Sequence, residues 1–157
     1  FNIDYFNFGF SGNALGEKTM ADYIAALPMS LFFLDFDHNS PNAEHLKAHH
    51  ESFFLNIREK NPDLPVIMAT KTDIPRSPAA EKSNAAHRAV VYETYENAVK
   101  RGDRNVIFID GATVFSKALT LSAPADSCTV DGCHPNDLGF ACMAKVFGDA
   151  IEKMLGL

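Results

Sequence analysis

Ser30-Leu-Phe-Phe-Leu-Asp-Phe36 is a nearly unbroken apolar run. Its lack of alternation is what a strand buried on both faces shows. Leu64-Pro-Val-Ile-Met-Ala-Thr70 and Asn105-Val-Ile-Phe-Ile-Asp-Gly111 repeat the pattern. Between them lie stretches with helical spacing. One covers roughly 43–60, with Leu46, His50, Phe53, Phe54 and Ile57 along one face. Another covers 78–101, with Ala86, Val90, Tyr95 and Val99, and stops at Gly102. Met20, Tyr23, Ile24 and Leu27 predict an earlier helix over 17–27, ended by Pro28. The opening FNIDYFNFGF, residues 1–10, reads as a further strand running into the turn Ser11-Gly12-Asn13. Residues 112–118 suit a short helix and 119–130 read as irregular. A last helix is expected from about 135 to 155, with Phe140, Met143, Phe147, Ile151 and Met154 on one face. Apolar strands alternating with amphipathic helices specify an α/β fold: a parallel sheet with helices on both faces, three layers deep. Crossovers in such a sheet are right-handed.

Composition sets the outer bounds. The chain has 157 residues, 46% hydrophobic and 22% charged, which suits one globular domain over 1–157. The formal charge of −6 argues against nucleic acid or an anionic membrane surface as partner. No apolar run approaches the ~20 residues of a membrane span. The chain opens at Phe1 without a methionine, so its start reads as the middle of a protein and 1–157 as the C-terminal portion of a longer domain, and localisation is not legible. Cys128 and Cys133 flank one loop and are close enough in sequence to pair. The odd total, with Cys142, equally suits free thiols, and the spacings match no zinc knuckle.

In open parallel sheets, ligands bind beyond the carboxyl ends of the strands. Ser11-Gly12-Asn13, Asp37-His38-Asn39, Thr72-Asp73 and Asp110 each follow a strand pattern. The loop Asp131-Gly-Cys-His134-Pro135 returns to the same edge just before the last helix. Pro135 suits the first helical position, and Asn136 and Asp137 suit the positive end of the helix dipole. A helix N-terminus disfavours imidazolium at His134, and the Asp131 carboxylate favours it. Such opposed influences suit a general base. The same short pattern also occurs as a surface turn with a capping aspartate.

Three of these clusters together resemble the SGNH (GDSL-like) esterase and acylhydrolase superfamily. Asn7-Phe-Gly-Phe-Ser-Gly12-Asn13 is similar to its second block, which implies that Gly12 lends a backbone N–H to an oxyanion hole. Leu34-Asp-Phe-Asp-His-Asn39 is placed like its third block, which implies that the Asn39 side chain is another oxyanion donor. Asp131-x-x-His134-Pro135 is similar to its fifth block, which implies a triad acid at Asp131 and base at His134. The blocks occur in family order across nearly the whole chain. The resemblance implies a flavodoxin-like α/β/α hydrolase fold, a carboxylic ester as small-molecule substrate, and no metal or organic cofactor.

Two departures stand out. The third block usually reads Gly-x-Asn-Asp, and here it is Asp37-His38-Asn39-Ser40. The family's nucleophilic serine lies in a first block tens of residues before the second, and this chain begins about six residues before its second block. Three readings follow: the nucleophile sits upstream of Phe1, the domain is a degenerate non-catalytic one, or Ser11 serves instead, although Ser11 adjoins the oxyanion glycine. The resemblance places the family's first strand between the segments 1–10 and 30–36. Without it two edges lack partners, which predicts instability, homodimerisation or association with the absent segment. The competing function class is an α/β module that binds a small molecule without chemistry. No Gly-rich phosphate loop supports a nucleotide there. His45 and His49, four apart on a helix, have metal-ligand spacing but read as a solvated face. His38 and His87 read as surface residues. Nothing in 71–78 or 112–130, where acyl selection would lie, names the substrate.

Overall fold

A computed structural model describes residues 3–119 and 124–157. Among the described residues, three short parallel strands form one sheet in the order β1 (Phe32–Leu34), β2 (Val66–Ala69), β3 (Val106–Ile109). Phe32 sits opposite Val66, and Val66 opposite Val106. Five helices accompany it among the described residues: α1 (Lys18–Ala25), α2 (Ala43–Lys60), α3 (Pro78–Lys100), α4 (Val114–Ala118) and α5 (Asp137–Leu155).

Successive strand residues point to opposite faces, and the two cores divide on that parity. Phe32, Leu34, Val66, Met68, Val106 and Phe108 pack with α1, α2 and α3. Phe33, Ile67, Ala69, Ile107 and Ile109 pack with α4 and α5. The three-layer α/β/α arrangement expected from the apolar runs is therefore present. Val66, Ile67 and Met68 are fully buried, as a central strand requires.

Local chemistry sets the helix ends. The Asn42 side chain accepts the His45 N–H at 2.8 Å and starts α2. Ser77 does the same for α3 through Ala80 N–H at 3.2 Å, with Pro78 at the first helical position. At the far end of α2, Arg58 donates to the Leu64 carbonyl at 2.6 Å and to Asp103 at 2.8 Å. With Asp103 largely buried, this pair ties α2 to the entries of β2 and β3.

Several expectations are corrected. The strand expected over 1–10 is not formed in its described part, residues 3–10; Phe1 and Asn2 lie outside the described residues. A strand exists only through ladder bonds to a neighbour, and β1 is the edge of this sheet. Residues 3–10 stand across a cleft from β1, with Tyr5 83% and Phe6 72% exposed. The formed strands are also shorter than the apolar runs. On α3 the fully buried residues are Val91, Thr94 and Ala98; of the expected face, Val90 and Tyr95 are half-buried and pack on the same core, whereas Ala86 is exposed. Val99 is exposed, and so are Tyr23 of α1 and Phe140 of α5. Cys128 does not pair with Cys133. All three thiols are free, and the sulfur near Cys128 is that of Cys142, at 3.9 Å across the α5 core. Part of the irregular 119–130 segment, residues 120–123, lies outside the described residues.

Candidate active site

The loop before α5 is built by backbone constraints. Thr129 and Pro135 form an isolated antiparallel bridge. The Val130 N–H donates to the His134 carbonyl at 2.9 Å. Pro135 is thus part of this bridge, not the first residue of α5. Asn136 is the cap, its side chain accepting the Gly139 N–H at 3.0 Å. A cap needs an acceptor side chain, which proline lacks. Gly132 lies at φ +94°, where other residues are strained, and a β-carbon there would come within 2.8 Å of the Ile74 carbonyl. The Ile74 N–H returns a bond to the Gly132 carbonyl at 2.7 Å, fastening this loop to the one after β2.

The tight turn brings Asp131 and His134 together. Asp131 Oδ2 lies 2.7 Å from His134 Nδ1. Asp131 Oδ1 accepts the backbone N–H groups of His134 and Cys133, each at 2.8 Å. The His134 N–H bond, then its ring, then the Cys133 N–H hold the Asp131 carboxyl well below the usual carboxylate range. With Nδ1 committed to the carboxylate, the ring's Nε2 is left to work outward. The ring is 78% exposed.

The other candidates lie at the strand ends. Asn39 closes a single 3₁₀ turn, Asp37–Asn39, and lines the cleft between residues 3–10 and β1. Its neighbour Asp37 accepts a backbone N–H from the loop after β2, and the same loop is fastened to Gly132, so the loops that carry Asn39 and His134 are tied to a common segment. Gly12 sits at φ +84° on the exposed turn after Phe10, with open space where a β-carbon would point. Ser11, beside it, is also exposed and at positive φ. The Lys71 N–H donates to Asp37 Oδ2 at 3.0 Å. The Lys71 ammonium pairs with Asp73 at 2.9 Å. A β-carbon on Gly111 would collide with the Thr70 and Lys71 carbonyls. The segments 37–39, 70–74, 110–111 and 131–134 therefore share one edge of the sheet.

A family model described as a GDSL-like lipase/acylhydrolase family matches residues 1–152. The chain belongs to that family. A solved structure described as a GDSL-like lipase from Bacteroides ovatus superposes with a TM-score of 0.79 at 28% identity, over 92% of this chain and 42% of that one. The salicylyl-acyltransferase SsfX3 from a tetracycline biosynthetic pathway shares the fold, with a TM-score of 0.63 at 21% identity over 89% of this chain and 41% of its own. The chain thus spans well under half the length of these two structures. No curated protein matches it.

In this GDSL-like chain the sequence reading put Asp37 and His38 in a polar cluster after a strand but did not join them with Asp35 at the end of β1. Asp35, Asp37 and His38 bring one ligand atom each to within 4.8 Å of one another. The protein atoms crowded around Asp35, and then the charge of Asp37, push its carboxyl up to about 7. Burial pushes Asp37 up to about 6, against the opposing Lys71 N–H bond. Desolvation, then the Lys71 charge, lowers His38 to about 4. The signal was the run Asp35-x-Asp37-His38 itself, an unusual load of charge at the end of a buried strand. His87 is half-buried, not a free surface residue, with Nε2 3.2 Å from the Ser40 carbonyl. His45 and His49 stack on each other, and Nδ1 of His49 faces the His45 carbonyl at 2.8 Å. No described helix is long and apolar enough to cross a membrane.

Proposed function

We propose that this chain supplies the acid, the base and two oxyanion donors of a carboxylic ester hydrolase of the Ser-His-Asp type. The nucleophilic serine comes from a segment upstream of Phe1. The observation that carries this reading is the 2.7 Å bond between Asp131 and His134 Nδ1, which orients Nε2 away from the carboxylate. A second support is the cleft beside β1. Its volume of about 1160 Å³ exceeds the ~300–1,000 Å³ of an ordinary ligand pocket. Its walls are apolar residues of 3–10 and the unpaired edge of β1. An added strand fits such a gap better than a small ligand does, and a parallel strand there would end next to Asn39.

In the first step the serine hydroxyl attacks the ester carbonyl while His134 Nε2 takes its proton. Asp131 keeps the ring in the tautomer with a proton on Nδ1 and steadies the imidazolium that forms. The Gly12 N–H and the Asn39 amide stabilise the oxygen that gains charge. Collapse expels the alcohol, which leaves with the proton from His134, and an acyl-serine remains. Water, deprotonated by His134, releases the acid and restores the serine. Transfer to another alcohol in place of water would give an acyltransferase, the activity named for SsfX3. The chemistry needs no metal. The partner required is a small-molecule ester.

The test is hydrolysis of p-nitrophenyl esters by the full-length protein. His134→Ala abolishes turnover. Asn39→Ala lowers kcat by ~10²–10³-fold with little change in KM, as expected of an oxyanion donor. An Asn39→Ala effect confined to KM contradicts the assignment.

A further inference from the structure

The two carboxylates at the end of β1 have no use in this mechanism, and they lie two and four residues before the proposed oxyanion donor. Asp37 is 3% exposed. Its Oδ2 accepts the Lys71 N–H, and its Oδ1 has no hydrogen-bond partner among the described residues. A buried carboxylate oxygen without a partner carries a large desolvation cost. Neither Asp35 nor Asp37 forms an ion pair among the described residues, and the Lys71 ammonium is engaged by Asp73. Asp35 opens onto the cleft, so the group can be reached from outside.

We infer that Asp35, Asp37 and His38 form a binding site for a first-row divalent cation. Two carboxylate oxygens and one imidazole nitrogen are a mixed donor set that suits Mn²⁺, Co²⁺ or Zn²⁺ better than Ca²⁺ or Mg²⁺, which prefer oxygen alone. Donors bound at ~2.0–2.2 Å stand at most ~4.4 Å apart across one ion. The present spread, within 4.8 Å, closes by small side-chain rotations. Three protein donors leave positions for water. The ion neutralises two negative charges that would otherwise oppose a developing oxyanion at Asn39.

The inference stands on the ligand geometry and not on the esterase reading, and its test needs no substrate. The full-length protein, stripped with chelator, is titrated with Mn²⁺ by electron paramagnetic resonance and with Zn²⁺ by calorimetry. One saturable site is expected. Asp35→Asn and His38→Ala each weaken it at least tenfold. His38 is exposed, so His38→Ala keeps the test valid if a carboxylate variant misfolds. His45→Ala, on the stacked pair of α2, leaves the affinity unchanged. Absence of saturable binding overturns the inference. So does binding that survives Asp35→Asn and His38→Ala, or that is lost with His45→Ala.

Discussion

Gly139 lies in the first turn of α5, where helix propensity alone recommends alanine. Gly→Ala inside a helix gains about 1 kcal/mol. The structure predicts the opposite outcome. A β-carbon on Gly139 would stand 2.1 Å from the Cys128 carbonyl oxygen, and 3.0 Å from Pro135 Cβ. Contacts under 3.0 Å do not occur, so the Cys128 backbone and α5 must separate by roughly 1 Å. That carbonyl accepts the Asn136 N–H at 3.0 Å, and the Asn136 side chain donates to the Ser127 carbonyl at 2.8 Å. The separation therefore passes into the Thr129–Pro135 bridge and moves His134. Overpacking costs ~1–3 kcal/mol, which cancels or exceeds the propensity gain. A displacement of ~1 Å at a catalytic group costs ~10²-fold in rate. Gly139→Ala in the full-length protein is thus expected to unfold in urea at unchanged or lower concentration and to lose about two decades in kcat on a p-nitrophenyl ester. A variant about 1 kcal/mol more stable with full turnover would refute the coupling of this helix start to His134.

Two further predictions concern stability. His50 is 1% exposed, with Nδ1 2.9 Å from Thr94 Oγ1 and Nε2 without a partner among the described residues, and burial lowers its pKa from 6.5 to about 4. The unfolded chain therefore binds a proton that the folded chain refuses, and this contribution to stability is complete above pH 6.5 and is lost as pH falls toward 4. Between pH 7 and 5 the loss is about 2 kcal/mol, read as the difference in slope between wild type and His50→Leu in urea titrations; parallel slopes would refute it. The unpaired edge of β1 predicts that residues 1–157 expressed alone self-associate or fall below the ~5–15 kcal/mol of an ordinary domain, and a cooperative monomer within that range would count against an added strand.

The layers of the fold were legible because burial on both faces leaves an unmistakable mark. Phe32 to Leu34, Val66 to Ala69 and Val106 to Ile109 are apolar at every position, and so short a run between turn residues suits a strand covered on both faces. Residues 1–10 carry the same β-forming residues, yet 3–10 form no strand. Composition reports a preference, whereas a ladder needs a neighbour. The face of α3 was legible in part: Val90 and Tyr95 do pack on the core, but its centre falls on Val91, Thr94 and Ala98, since alanines and valines at adjacent positions leave the face to be decided by α2 and β3. At the site, the Asp131–His134 pair was readable from spacing, because Gly132 permits a turn tight enough to join them. The anchoring of that turn was not. It depends on Ile74, Cys128 and Asn136, whose contributions are backbone groups and a cap. Asp37 was read only as one member of a polar cluster after a strand, and Asp35 only as a break in an apolar run, because the missing partner of Asp37 becomes visible only when the surrounding atoms are in place.

The central claim is that His134, held by Asp131, activates a serine for attack on an ester. Its most direct test is covalent trapping of the full-length protein with a fluorophosphonate, followed by peptide mapping, in wild type and His134→Ala. The account predicts one adduct, on a serine upstream of Phe1, formed at least a hundredfold more slowly when His134 is removed. An adduct on Ser11, or labelling at the same rate without His134, would contradict it.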